Sequence, residues 1–299
     1  MAAKKGFKKN KNITKFLQNR LGINNNTAEI IAVAYDLQAG TYNDFADKNL
    51  DLFEKRTKEV VEFIESNVQD IKSILDIGTG ELTMFSRVMS KLSSPSNINF
   101  YAIDISLSRL IVGRDDFYKT INSDLNLKLA VADSAKLPFA SKSIEIITTD
   151  HSLEPNGGRL EELIKECFRV AKRFCVFIEP SIKIQSEAGV ERMKSLGYIC
   201  DLDETIEKLG GKVVAEYLTK NNYNSLNKSK MILVKVPSLS SEELSDNNDL
   251  NNFTYPGEDY LLEEKNGFLY NKESGFAFPI IDGIPILVEQ NRILYTQFN

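Results

Sequence analysis

Residues 75–83 read LDIGTGELT, the close of the apolar run SILDI (73–77) followed at once by two glycines, Gly78 and Gly80. An apolar β-rich run feeding a glycine turn and then helical spacing, here Leu82 to Leu92, is the opening of a βαβ unit. The same alternation continues outward. INFYAID, LKLAVAD, IEIITTD and FCVFIEP read as further strands, and KVVAEYL and MILVKV bring the candidates to seven. Helical spacing at Leu107–Tyr118 and Arg159–Arg173 separates most of the first five, with a polar, Pro-containing loop between the third and fourth. Such alternation predicts an α/β fold with a mainly parallel sheet covered on both faces. The last two runs are joined by NNYNSLNKS, a turn or irregular loop, so they form an antiparallel pair at the sheet edge.

Upstream, apolar residues recur at helical spacing over Ile13–Leu21 and Thr27–Leu37, with Asn26 or Thr27 placed to cap the second segment. A longer helix is predicted from Leu50 to Val68, because Leu50, Phe53, Val60, Val61, Ile64 and Val68 trace one face while Lys, Glu and Arg fill most of the other. Downstream, residues 238–252 are polar and acidic, as expected of a linker, and residues 253–299 alternate glycines with short apolar runs, which reads as a small β module. The expected organisation is a basic tail with N-terminal helices at 1–47, a main domain at 48–237, a linker at 238–252 and a β module at 253–299.

Composition narrows the class. With 299 residues and 42% hydrophobic content the chain can bury a sizeable core. The N-terminus MAAKKGFKKNKN lacks a signal peptide's apolar stretch and no apolar run is long enough to span a bilayer, so a soluble, cytosolic protein is expected. Net charge is −5, yet Lys4, Lys5, Lys8, Lys9, Lys11 and Lys15 carry six positive charges, which leaves −11 for the rest. An acidic body repels phosphate backbones and counts against a nucleic-acid substrate. The lysine tail is either a solvated arm or a grip for an anion. Cys167, Cys175 and Cys200 are odd in number and lack CxxC spacing, so neither a disulfide framework nor a metal site is expected.

The turn at 78–80 does not suit a dinucleotide or a phosphate loop. The last glycine of GxGxxG is replaced by Thr83, and no Lys-Ser/Thr pair follows. An acid, Asp76, precedes the turn instead, Asp104 ends the second strand, and Asp133 ends the third. Carboxylates at successive strand ends suit a ligand with cationic groups and ribose hydroxyls but no phosphate, which describes S-adenosylmethionine (SAM). LDIGTGELT, YAIDIS, VADSAKLPFASKSIEIITTDHSLEP and ECFRVAKRFCVFIEP, between residues 75 and 180, resemble the class I SAM-dependent methyltransferases, specifically the ubiquinone/menaquinone-biosynthesis and small-molecule branch. The resemblance implies a Rossmann-like seven-stranded sheet. It also implies SAM binding by Asp76, Gly78, Gly80, Asp104, Ile105, Asp133, Ser134, Ala135 and Asp150, with S-adenosylhomocysteine as product and no metal. YDLQAGTYNDF looks like the family's Tyr-containing segment that closes over SAM, making Tyr42 a contact or a packing aromatic. The family's third glycine is Leu82 here, which puts the loop shape in question, since Leu takes glycine's backbone angles at a cost.

Candidate catalytic residues follow the fourth and fifth strands. The sole histidine, His151, stands in TTDHSLEP and is either a base for a hydroxyl or amine acceptor or a residue that caps the turn and shapes the pocket. Glu154 lies in a glycine-containing loop, and Glu179, before Pro180, either faces the cleft mouth or caps the next helix. Arg192 either pairs with an anionic acceptor or is a solvated charge.

In the C-terminal module, FLYNKESGFAFPIIDGIPILV resembles the small zinc-binding activators of tRNA and release-factor methyltransferases, although residues 253–299 contain none of their cysteines. The expected function is methylation of a hydroxyl or amine on a small molecule such as a sugar or nucleotide-sugar. The alternatives are a tRNA, rRNA or translation-factor methyltransferase, prompted by the lysines and the module, and a non-catalytic SAM-binding subunit. Oligomeric state is not legible.

Overall fold

The computed structural model describes residues 12–24, 26–120, 125–238 and 253–297. Most of the lysine tail and of the 238–252 linker lies outside these residues. Four helices come first: α1 (Ile13–Leu21), α2 (Ala28–Asp36), α3 (Thr41–Lys48) and α4 (Leu50–Asn67). Thr27 caps α2 by accepting from the Ile30 N–H, whereas Asn26 is buried and reaches across the chain, donating to the Pro155 carbonyl while accepting from Gln18. The sequence reading did not separate α3 from the segment around Tyr42.

The seven expected strands are present as β1 (Ser73–Ile77), β2 (Asn99–Asp104), β3 (Asn126–Ala132), β4 (Ile144–Asp150), β5 (Ala171–Pro180), β6 (Lys212–Leu218) and β7 (Ser229–Lys235). Their order is β6-β7-β5-β4-β1-β2-β3; β1–β5 are parallel, and β7 runs antiparallel to both β5 and β6. Helices α5 (Phe85–Lys91), α6 (Leu107–Thr120), α7 (Leu160–Val170), α8 (Glu187–Leu196) and α9 (Leu202–Lys208) connect them. Period-2 alternation sorts the side chains between two cores. Leu75, Tyr101, Phe177 and Ile232 join α7 and α9 on one face, while Ile74, Phe100, Val176 and Met231 join α4 and α5 on the other.

Two boundaries differ from expectation. The helix foreseen from Arg159 to Arg173 stops at Val170, because Ala171 turns extended and pairs with Ile144 to start β5 without a loop. The helix foreseen from Leu82 starts at Phe85, because Leu82 is in the left-handed region (φ 56°). That conformation costs roughly 1–2 kcal/mol, and burial of the Leu82 side chain, 1% exposed, returns about 2–3 kcal/mol. The missing third glycine is therefore tolerated with the left-handed turn kept.

The larger correction concerns the sheet's extent: among the described residues it has twelve strands, not seven. The C-terminal segment supplies β8 (Glu263–Lys265), β9 (Phe268–Asn271), β10 (Phe276–Ile281), β11 (Ile284–Leu287) and β12 (Ile293–Leu294), and β11 pairs in parallel with β3. An exposed β3 edge would present unpaired backbone groups, and β11 covers it. Leu262, Leu269, Phe278 and Leu287 share one core with Leu137 and Phe139 of the main domain, while Asp259 accepts from Ser141 and Arg169.

Shared core and shared hydrogen bonds predict one cooperative unit. Phe278→Ala, at a position with no exposure, is expected to lower global stability by about 3–5 kcal/mol. Urea unfolding followed by both tyrosine fluorescence and far-UV circular dichroism should give one coincident transition, shifted in the variant. Two separated transitions would contradict the shared core.

Candidate active site

In a parallel sheet whose order reverses between β1 and β4, the connections leave to opposite faces and open a crevice at the carboxyl ends of the strands. A cavity of about 290 Å³ lies there, walled by the loops after β1–β4, by Ala28, Ile31, Tyr35, Tyr42 and Phe45 from α2 and α3, and by Tyr223, Asn224 and Asn227 from the β6–β7 loop. Asp76, Gly78, Asp104, Ile105, Asp133, Ser134, Asp150, His151 and Glu154 line it together with Tyr42 and Arg192. Gly80, Ala135 and Glu179 do not line it.

The glycine turn is required sterically. Gly78 (φ 67°) and Gly80 (φ 60°) are left-handed, and a Cβ at either would overlap a neighbour, Ser152 Cβ for Gly78 and the Arg109 guanidinium for Gly80. The Gly80 N–H donates to Asp104 at 2.9 Å, and the Ser106 N–H donates to the other Asp104 oxygen at 2.8 Å. Asp104 thus fixes the turn after β1 from the end of β2.

Each remaining acid has its own partner. Asp76 accepts from the Thr148 hydroxyl at 2.7 Å, and burial, helped by the charges of Asp150 and Asp104, pushes its pKa up to about 7. Asp150 is held by Arg56 of α4 at 2.6 Å. The Arg56 side chain has no exposure, lies over the Tyr223 ring at 4.4 Å, and also donates to the Asn221 carbonyl. Asp133 pairs with Arg159 at 3.1 Å and accepts from the Ala135 N–H at 3.0 Å. Glu81, buried in the glycine loop, accepts from the Gly40 and Asn43 N–H groups at the start of α3, and Thr83 donates to Asn43 at 2.6 Å. Arg109 sits 3.8–3.9 Å from Asp104 and Glu81, with Tyr42 and Tyr35 at 4.4 and 5.3 Å from its guanidinium carbon. Tyr42 therefore packs on a buried cation at the cavity wall.

Glu179 does not face the cleft mouth. It is 1% exposed and accepts from the backbone N–H groups of Ser152, Leu153 and Glu154 at 3.0–3.2 Å, with burial pushing its pKa up to about 7. Those amides belong to the turn after β4, which begins with His151 in the left-handed region (φ 57°), a costly angle for a residue other than glycine. Glu179 pins the strained turn from behind. His151 Nδ1 lies 2.8 Å from Glu154 Oε2, and Asn227 donates to the same oxygen at 2.9 Å. A carboxylate there selects the tautomer with the proton on Nδ1, leaving Nε2 as a free base. Nε2 is buried and has no hydrogen-bond partner among the described residues. Burial opposes a charge on His151, but the charge and hydrogen bond of Glu154 outweigh it and raise the pKa above its ordinary value. Other unpartnered buried atoms gather on the same cavity: Arg109 Nε, Ser152 Oγ, Arg192 Nη1 and Asn227 Oδ1.

Several of these residues were not found from sequence. Arg56 had a signal: it sits three residues after Phe53 and four before Val60, on the apolar face of α4. Glu81, Arg109, Tyr223 and Asn227 had none, since tertiary folding alone brings them to the cavity.

The class defined by fold and site is an α/β protein with a cofactor-sized crevice at the sheet's switch point. Residues 75–178 match the family model described as a methyltransferase domain. No curated protein matches the chain. Among solved structures, magnesium protoporphyrin IX methyltransferase from Synechocystis PCC 6803, determined with bound SAH, is 12% identical with a TM-score of 0.51, covering 64% of this chain and 88% of that one. A chain of the complex between the Haloferax volcanii Trm112 methyltransferase activator and a methyltransferase is 14% identical with a TM-score of 0.51, covering 68% and 96%. At such identities the likeness shows the fold. Together with the domain match, it places a methyltransferase domain at residues 75–178 of this chain. No described helix is long and apolar enough to cross a membrane.

Two outcomes test the geometry. Arg56→Ala, which strands Asp150 at a largely buried site, is expected to cost about 3–5 kcal/mol in denaturant unfolding, and Asp150→Asn in the same chain should restore part of it. Because the chain has one histidine, a carbon-edited NMR titration of untagged protein reads His151 alone. Its pKa should lie above 6.5 and drop in Glu154→Gln; a value unmoved by that change would break the His151–Glu154 link.

Proposed function

We propose that the cavity binds SAM and that the chain methylates a hydroxyl or amine of a small molecule, in keeping with the small-molecule branch that the motifs resemble. The supporting observation is the pairing of two arrangements around one cavity: carboxylates at the ends of β1–β4, and a histidine whose Nε2 is unpartnered while Nδ1 is engaged by Glu154. The donor set fits SAM. Asp76, held partly protonated by burial, gains from a cationic neighbour, Asp104 serves the ribose hydroxyls, and Asp133 with the Ser134 backbone serves adenine. Ile105, Tyr42 and the Gly78–Gly80 turn complete the wall, with Asp150 held by Arg56 at its edge. SAM, when bound, supplies a methyl carbon whose bond to sulfur breaks as the acceptor's oxygen or nitrogen bonds to it, leaving S-adenosylhomocysteine.

The chain's residues position and deprotonate. His151 Nε2 takes the acceptor's proton, Glu154 steadies the imidazolium that forms, and Asn227 fixes the Glu154 carboxylate. Glu179 acts one step back, through the backbone of the turn. Tyr42 and Phe45 of α3 and Ile31 of α2 exclude water from the reacting atoms. A sugar or nucleotide-sugar acceptor remains within this reading, and none of its steps calls for a metal.

Calorimetric titration tests the cofactor assignment. Asp104→Ala should weaken SAM binding by roughly thirtyfold, the equivalent of about 2 kcal/mol for lost hydrogen bonds to a carboxylate. His151→Ala should leave SAM binding within about twofold. Unchanged affinity in the Asp104 variant would reject the site.

A further inference from the structure

The arginines that line the cavity are not equivalent. Arg109 is flanked by Glu81 and Asp104, and Arg159 is paired with Asp133 and Glu162; Arg56, just behind, is paired with Asp150. Arg192 has no carboxylate within 4 Å among the described residues, and its Nη1 is buried without a hydrogen-bond partner. The guanidinium carbon lies over the Tyr198 ring at 5.4 Å, which sets its direction. A buried donor on a cation costs free energy unless a ligand completes it.

Arg192 reaches the cavity from the half of the sheet beyond β4. Helix α8 follows β5, on the half of the sheet away from β2 and β3, where Asp104 and Asp133 stand. The end of α8 is docked on the loop that carries Glu154: the Gly157 N–H donates to the Gly197 carbonyl at 3.1 Å, and the Ile199 N–H donates to the Glu154 carbonyl at 3.0 Å. Arg192 thus enters the cavity from the helix docked on the loop that carries Glu154. The other walls include Ile31, Phe45, Phe53 and Tyr223, which suit an apolar, ring-sized body.

We propose that the methyl acceptor is an organic anion, with an apolar body against these side chains, a carboxylate paired with Arg192, and its hydroxyl or amine facing His151. The proposal rests on the methyltransferase reading above. It makes Arg192 a specificity residue, since a site built around an unpaired cation rejects the neutral isostere.

The test uses full-length protein saturated with S-adenosylhomocysteine and three aryl carboxylates as probes, benzoate, phenylacetate and cinnamate, each against its primary amide, by calorimetry and thermal shift. Wild type should bind at least one carboxylate ten times or more tighter than its amide, and Arg192→Gln should abolish that preference while keeping its affinity for S-adenosylhomocysteine, which also shows that the variant is folded. Equal binding of acid and amide, binding of neither, or an unaltered preference in the variant would overturn the proposal. So would loss of S-adenosylhomocysteine affinity in Arg192→Gln, which would assign the cation to the cofactor's own carboxylate. Failure of wild type to bind S-adenosylhomocysteine at all would instead reject the underlying cofactor site.

Discussion

Burying a carboxylate without a partner costs several kcal/mol, and here the five parallel strands each close on one: Asp76, Asp104, Asp133, Asp150 and Glu179. The architecture of the site is the set of partners that makes this tolerable. Backbone amides take Asp104 and Glu179, an arginine of α4 takes Asp150, the arginine that precedes α7 takes Asp133, and a threonine hydroxyl takes Asp76. The partners come from distant points of the chain, so closing each pair also places a turn or a helix. Asp76 is the least compensated, and its raised pKa records that deficit. The cationic cofactor proposed for the cavity would supply a partner.

The same economy links the cofactor loop to the N-terminal helices. Glu81 leaves the glycine turn and binds amides at the start of α3, Thr83 donates to Asn43, and Asn26 ahead of α2 holds the Pro155 carbonyl in the loop after β4. Arg109 adds a cationic surface for Tyr42. The wall formed by α2 and α3 is thus tied at the β1 loop and at the β4 loop, the two places where the proposed cofactor and acceptor meet.

Periodicity made the fold legible: all seven strands of the main sheet and the antiparallel end pair follow from alternation and from turn residues. What local pattern cannot carry is a backbone angle held by a tertiary contact. Leu82 and His151 both adopt left-handed conformations, one tolerated by burial of its side chain and the other pinned through the amides that follow it. At the site, the strand-end acids were legible because they share a position within a repeating unit. Their partners were not, because Arg56 and Asp150 stand 94 residues apart and Asp133 and Arg159 stand 26 apart, and only the tertiary fold brings each pair together. Glu179 shows the reverse error. A strand-end acid before a proline invites a role in the cleft, and the three amides behind it claim the carboxylate first.

The C-terminal segment was legible as strands but not as an extension of the sheet, since sequence does not say which edge a short strand joins. Joining β3 has a physical consequence for the cofactor wall. The loop after β3 carries Asp133 and Ser134, and beyond them Leu137 donates to Glu166 of α7 while accepting from the Gly257 N–H, and Lys136 pairs with Glu289. Held from α7 on one side and from the module on the other, the proposed adenine wall loses conformational freedom before any ligand arrives. Ordering that loop in advance lowers the entropic cost of binding. Among its described residues the module lends no side chain to the cavity, and its tie to the site runs through β3 and the loop after it.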